Sequence, residues 1–392
     1  MVIKMKNYDA MLLKDSSFKN SDIFYATQFS APDPFIFIKT KKGKKIIVVT
    51  ELEYGRALKT AKVDKVLLDE DFVKREEFKN QLKKKNIAYD FWKYDNEVID
   101  KVLKQYKAKN ILVPPDFAYK SAELLKEKGY KLVYKESNPF FSEREVKTKK
   151  EIKYITETQR INEEAMEAAI KAIRNSEIRG NKLYLDNEPL TAERVKSIIH
   201  RKFLEHDCLP LDGSIVSCGD QGCDPHNSGS GVLKANQTII IDIYPKSMKH
   251  GYWADMTRTV VKGKASKKVK EIYQTVIEAK ELAKSEIKEG VIGSSIYYDV
   301  LKMFEDKGFP KKENKKGSEG FIHGVGHSLG LDIHELPSIS KGDTELKAGN
   351  VVTIEPGLYY YGIGGVRQED IVVVTKKGCK TITKYPEILE IE

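Results

Sequence analysis

Two stretches of the sequence, TIIIDIYPKSMKHGYWADMTRTVV at 238–261 and VVTIEPGLYYYGIGGVRQEDIVVVT at 351–375, share one design. Each is an apolar, β-branched run, a turn, and a second apolar run, which is the pattern of a β-hairpin. Each run carries an acid. Asp242 and Asp255 stand thirteen residues apart in the first hairpin, and Glu355 and Glu369 fourteen apart in the second. Cross-strand partners lie about 5 Å apart, so each hairpin is expected to bring its two carboxylates together. A chain with two such hairpins has to fold around four acids.

A buried ionised carboxylate is costly unless paired, and two side by side do not both stay charged without a cation. Basic residues are nearly absent from these runs, Arg258 and Arg367 being the exceptions. Singly, each acid has an ordinary reading: Asp242 as a turn or cap residue, Glu355 before Pro356 as strand-end punctuation, Glu369 or Asp370 as a partner of Arg367. The repetition favours a divalent metal instead. Between the hairpins lies HGVGHSLGLDIHELP, which holds three of the chain's seven histidines, His323, His327 and His334, within fifteen residues. A helical H-E-x-x-H site is excluded, because Gly324, Gly326 and Gly330 make a poor helix and Glu335 follows His334. The glycines point to a backbone held close to something, with the imidazoles aimed at a common point. Four carboxylates and an imidazole are too many for one tetrahedral zinc, and suit two ions about 3.5 to 4 Å apart with bridging carboxylates. The mixed oxygen and nitrogen donors fit Mn, Co, Fe or Zn rather than Ca.

At 392 residues the chain is long enough for two domains. PFIFIKT and KKIIVVT read as strands flanking a turn at Gly43, and ILVPP and KLVYKE as two more around the helical AYKSAELLKEKG. This is a small α/β domain, expected to span 1–147. A long helix follows, with Ile161, Ala165, Ala168, Ala169, Ala172 and Ile173 at helical spacing, and opens the second domain, 148–392.

No apolar run approaches the ~20 residues of a membrane span, and MVIKMKNYDAML lacks the apolar core of a signal peptide, so a cytoplasmic protein is expected. Four cysteines make no disulfide framework. The net charge of +10 raises nucleic acid as a partner, but lysines alternate with glutamates in stretches such as KREEFKNQLKKKN, the pattern of a solvated face. Nucleic acid and membrane are therefore not expected as partners.

At these residues the chain resembles the pita-bread metallopeptidases, the family of aminopeptidase P, prolidase and methionine aminopeptidase. The resemblance covers the whole second domain, and more faintly the first. It implies an α/β (α+β) fold: a pita-bread catalytic domain with pseudo-two-fold β-hairpins behind a smaller creatinase/prolidase-type N-terminal domain. It implies metal ligands Asp242, Asp255, His327, Glu355 and Glu369, with Asp255 and Glu369 bridging two divalent ions, Mn or Co before Zn or Fe. Arg367 matches an arginine that orients the carboxylates, and His226 in DPHNSGSG, His323 and His334 match the family's other active-site histidines. Glu355 would relay a proton, His334 donate to the oxyanion, His226 contact the substrate near the leaving group, and His323 help form a proline pocket.

Simple methionine aminopeptidases lack the N-terminal domain, so the resemblance implies an exopeptidase cleaving before proline, in dipeptides or longer peptides, and a homodimer. Alternatives are a metal-free, creatinase-like hydrolase, a non-catalytic binding module, or methionine aminopeptidase-like specificity. The chain departs from the family in DIYPKSMKHGYWAD, whose turn is longer, and in Ser328 after His327. Both departures bear on substrate preference.

Overall fold

The computed structural model describes residues 8–135 and 139–392. Residues 1–7, part of the segment read for a leader, and Glu136, which ends the run KLVYKE, lie outside the described residues. The chain parts into two compact units between Ser142 and Glu143.

The first unit is built on one sheet. Strands β1 (Ala10–Asp15), β2 (Phe35–Thr40), β3 (Lys45–Val49), β4 (Lys65–Leu68), β5 (Asn110–Val113) and β6 (Lys131–Tyr134) lie in the order β4-β3-β2-β1-β5-β6. Only β2 runs against its neighbours, because the turn at Gly43 (φ 86°) returns the chain directly into β3. Phe35–Ile38 and Ile46–Val49 are buried on both faces, so they are continuously apolar and do not alternate. The charged stretch Arg75–Lys84 is a helix that buries no residue.

The second unit has two like halves. In the first, helix Lys149–Arg174, closed at its start by a capping box of Thr148 and Glu151, packs with helix Ala192–Leu204. They cover a sheet whose strands run in the order Ile215–Cys218, Ile239–Ile243, Met256–Lys262, Glu390–Ile391. Ala165, Ala169 and Ile173, from the expected apolar stripe, are buried there. In the second half, helices Lys267–Glu286 and Gly293–Asp306 cover a sheet ordered Glu335–Ile339, Gly326–Ser328, Val351–Ile354, Asp370–Val374, Cys379–Thr381. Each acid-bearing hairpin thus lies inside a sheet, backed by its own helix pair.

The register refines the expected pairing. Asp242 lies opposite Thr257, and Asp255 is two residues earlier on the same face, so these two acids are diagonal rather than direct partners. In the second hairpin the pairs Ile354 with Asp370 and Gly357 with Arg367 set Glu355 opposite Glu369. The ladder opens there because Pro356 has no N–H to donate. Glu355 N–H instead donates to the Val325 carbonyl at 2.7 Å, and Glu369 N–H to the Thr257 carbonyl at 3.1 Å. The second bond ties one hairpin to the other.

Among the described residues, no helix is long and apolar enough to cross a membrane. All four cysteines are free thiols.

Candidate active site

Asp242, Asp255, His327, Glu355 and Glu369 line one cavity of about 340 Å³, together with His226, His323, His334 and Arg367. The four acids and the imidazole come from strand ends of both halves, which the Glu369–Thr257 backbone bond holds together. His327 lies on the short strand Gly326–Ser328, not on a helix. Gly326 is required by close approach: a Cβ there would sit 2.0 Å from the Thr353 carbonyl oxygen.

Two observations test whether these groups suit a cation. Asp242 Oδ1, Asp255 Oδ1 and Glu369 Oε1 are buried with no hydrogen-bond partner among the described residues, although buried carboxylate oxygens are normally satisfied. The imidazole of His327 is turned so that Nδ1 lies 3.1 Å from the Ser328 carbonyl. A carbonyl only accepts, so Nδ1 carries the proton and Nε2 presents a lone pair. That lone pair faces Asp255 Oδ2 at 3.6 Å and Glu355 Oε1 at 3.5 Å, acceptor against acceptor. Donor atoms of Asp255, His327 and Glu369 all lie within 4.8 Å of one another. Such an arrangement is stable around positive charge, and the residues fit divalent metal.

The electrostatics agree. Burial, and then the neighbouring carboxylates led by Glu369, hold Asp255 well above the usual carboxylate range. Burial and Glu369 do the same to Glu355, and burial and Asp242 push Glu369 up to about 8. Burial, with His334 next, lowers His327 to about 3 and keeps it neutral.

Around this centre the second set of residues forms a relay of contacts. Arg367 Nη2 donates to Asp242 Oδ2 at 2.6 Å, and its Nη1 to the Tyr359 hydroxyl oxygen at 2.9 Å. The Tyr359 hydroxyl lies 2.7 Å from His323 Nε2, and His323 Nδ1 donates to the Gly324 carbonyl at 2.7 Å. Hence the Tyr359 O–H donates to His323, whose two nitrogens are both engaged and whose ring is fixed. The Thr257 hydroxyl donates to Glu369 Oε2 at 2.9 Å. The His334 ring stands edge-on to His327 with centroids 4.4 Å apart. Its loop is pinned by Glu335, which is paired with Arg144 at 2.5 Å and Lys147 at 2.9 Å and accepts the Leu331 N–H at 3.0 Å. His226 is on an exposed loop that reaches the cavity.

Asp370 turns away from the cavity, as alternation along a strand requires after Glu369. It meets Arg258 at 2.9 Å, Lys280 at 2.7 Å and Lys284 at 2.9 Å. Neither Glu369 nor Asp370 is therefore the partner of Arg367, which is taken by Asp242. Sequence reasoning did not single out Tyr359, Thr257, Tyr244 or Asp212, which hold or line the site. Thr257 carried a signal, being two residues beyond Asp255 and so on the same face of a strand.

Four inward-facing acids and an imidazole, carried on two like halves of a sheet-and-helix scaffold, define the class: a pita-bread metallopeptidase. A sequence profile of metallopeptidase family M24 matches residues 153–376. An Xaa-Pro dipeptidase of Pyrococcus furiosus is 32% identical over 270 residues, covering 68% of this chain and 71% of that protein. One of Pyrococcus horikoshii is 31% identical over 286 residues, covering 71% and 75%. Of solved structures, an Xaa-Pro dipeptidase from Bacillus anthracis superposes with a TM-score of 0.79 at 25% identity, covering 98% of this chain and 95% of that one. The prolidase from Pyrococcus horikoshii gives 0.76 at 27%, covering 97% and 95%. The chain belongs to metallopeptidase family M24.

Proposed function

We propose that the chain is a metal-dependent exopeptidase that hydrolyses the bond between a first residue and a following proline, with the unit that begins at Glu143 as its catalytic domain. The observation that carries this is the convergence of the His327 Nε2 lone pair with unpartnered oxygens of Asp242, Asp255 and Glu369 on one cavity. The Xaa-Pro dipeptidases and prolidase among its relatives support the choice of proline.

Two divalent ions, Mn or Co by preference, held by Asp242, Asp255, His327, Glu355 and Glu369, would acidify water and polarise the scissile carbonyl. Glu355 accepts the proton of the attacking water and passes it to the leaving proline nitrogen. His334 donates a hydrogen bond to the oxygen that gains charge as the carbonyl is attacked. His226 contacts the substrate backbone near the leaving group. His323, its ring held between Tyr359 and the Gly324 carbonyl, walls the proline site. The acids receive the substrate's free amine, which limits cleavage to the first bond.

The test is hydrolysis of Ala-Pro and Ala-Pro-Ala by chelator-stripped protein, with and without added Mn or Co, beside Glu355→Gln. Cleavage restored by metal in the parent and absent from the variant is expected, and the peptide cut distinguishes dipeptidase from aminopeptidase. Cleavage of neither peptide by protein shown to bind metal would refute the proline specificity.

A further inference from the structure

Beyond the metal-facing acids, the cavity has one more carboxylate. Asp212 lines it, is exposed, and stands in the loop before strand Ile215–Cys218. Among the described residues no cation lies within ion-pair distance of it, whereas every other charged group of the cavity wall either joins the inward acid cluster or, like Arg367, is paired with it. Lys246, the lysine whose charge is felt nearby, is half-buried and lies over the Trp253 ring, 5.5 Å from its centroid.

The position of Asp212 is set by its neighbour. The Tyr244 hydroxyl donates to the Asp212 carbonyl oxygen at 3.4 Å, and the Tyr244 ring lines the same wall. Ile215 and Ile333 line the cavity beside them. An unpaired carboxylate at the exposed edge, an aromatic ring and two aliphatic side chains make a surface for a long, apolar stem that ends in positive charge.

Resting on the exopeptidase reading above, we propose that Asp212, with Tyr244, is a specificity determinant that selects substrates whose first residue is arginine or lysine. On that reading the buried acids, with any metal held by them, would take the main-chain amine. Asp212 lies outside that cluster and takes the side-chain cation. The guanidinium of arginine matches a carboxylate with two parallel hydrogen bonds, so arginine is preferred over lysine.

The experiment compares kcat/KM of the metal-loaded full chain for Arg-Pro, citrulline-Pro and Ala-Pro. Citrulline keeps the shape of arginine without its charge. The parent is expected to favour Arg-Pro over citrulline-Pro by about fivefold to tenfold, as a hydrogen-bonded charge pair at a partly exposed edge allows. That ratio should shrink with added salt. Asp212→Asn is expected to bring the ratio to within about twofold, and Asp212→Glu to restore most of it. Cleavage of Ala-Pro with equal rates for Arg-Pro and citrulline-Pro would overturn the assignment of Asp212 while leaving the exopeptidase reading intact. A ratio that persists in Asp212→Asn would overturn it likewise. Cleavage of none of the three would overturn the exopeptidase reading, and this assignment with it.

Discussion

Arg367 and Asp242 form an ion pair of 2.6 Å in the wall of the cavity, with Arg367 only 3% exposed and Asp242 9%. The guanidinium neutralises one acid of the cluster and, on the proposed reading, leaves the rest to a metal. It also carries the Tyr359 hydroxyl that fixes His323. Replacing Arg367 by Met leaves Asp242 buried among other acids without its cation. Breaking such a pair costs about 3–5 kcal/mol. Urea unfolding of the chelator-stripped variant is expected to show a loss of that order, and kcat/KM to fall because both Asp242 and His323 lose their support. A variant with unchanged urea midpoint would show that the pair is not the cluster's compensating charge.

The metal-free protein should lose stability as pH rises above about 6.5. Asp255, Glu355 and Glu369 all have carboxyls raised in the folded state, Glu369 from 4.5 to about 8, chiefly by burial. A raised carboxyl favours the folded state fully below its unfolded value, and that contribution is lost as pH climbs through the folded value. Below about pH 6.5 the neutral imidazoles of His323 and His327, both lowered to about 3 by burial, act in the opposite direction, so scanning calorimetry with chelator should give a Tm that falls between about pH 6.5 and 8. Saturating Mn supplies the missing charge, so the difference between loaded and stripped protein should widen over the same range. A constant difference would count against a carboxylate-held metal.

Glu355→Gln keeps the shape of the side chain and removes its capacity to accept a proton. In the proposed mechanism Glu355 is the general base, and such a base contributes about 10²- to 10⁴-fold. The expected result is a fall of that order in kcat on an Xaa-Pro substrate. Isothermal titration of metal into stripped protein should still show binding, since Asp242, Asp255, His327 and Glu369 remain. A variant that keeps parental kcat would place the proton relay elsewhere.

Asp370 is the anion at the centre of three cations. Burial acts to raise its carboxyl, but Arg258, Lys280 and Lys284 outweigh this and hold it well below the usual range. Its contribution to stability is present above its unfolded value near 3.8 and is lost as pH falls below that. Asp370→Asn strands Lys280, which is wholly buried, with Glu387 as its remaining partner. A destabilisation of about 3 kcal/mol or more is expected, read from urea midpoints at pH 7 and shrinking in acid. Metal affinity should change far less, because Asp370 faces away from the cavity.

Gly326→Ala would force a methyl group to within 2.0 Å of the Thr353 carbonyl oxygen, a backbone atom with little freedom to move. The strand carrying His327 has to shift, with strain of about 1–3 kcal/mol. Weaker metal binding together with a lower Tm is the expected outcome. Parental values for both would mean the strand has room that the geometry denies.

The repeated acid hairpins and the glycine-spaced histidines were legible in the sequence because they are local: alternation, turn residues and donor types recur over short stretches. From them alone came the four acids, the imidazole among glycines, and the small α/β unit ahead of a long amphipathic helix. Which acid meets which cation was not legible. Arg367 is closer in sequence to Glu369 and Asp370 than to Asp242, yet it pairs with Asp242, while Asp370 reaches across to Lys280 and Lys284. Strand alternation sends adjacent acids to opposite faces, and only the packing of two sheets and their helices determines what waits on each face. Tyr359, Thr257 and Asp212 belong to the same category, since a tyrosine, a threonine and an exposed aspartate have no local pattern that marks them. Even the break that frees Glu355 and Glu369 has a local cause in Pro356, but its result, a backbone bond from Glu369 to Thr257, joins residues more than a hundred positions apart. The sequence by itself determined the candidate donors and the hairpins that carry them, through residue type and period. The tertiary structure decided their partners, because long-range contacts are fixed by the burial of apolar faces and not by the spacing of the polar groups they carry.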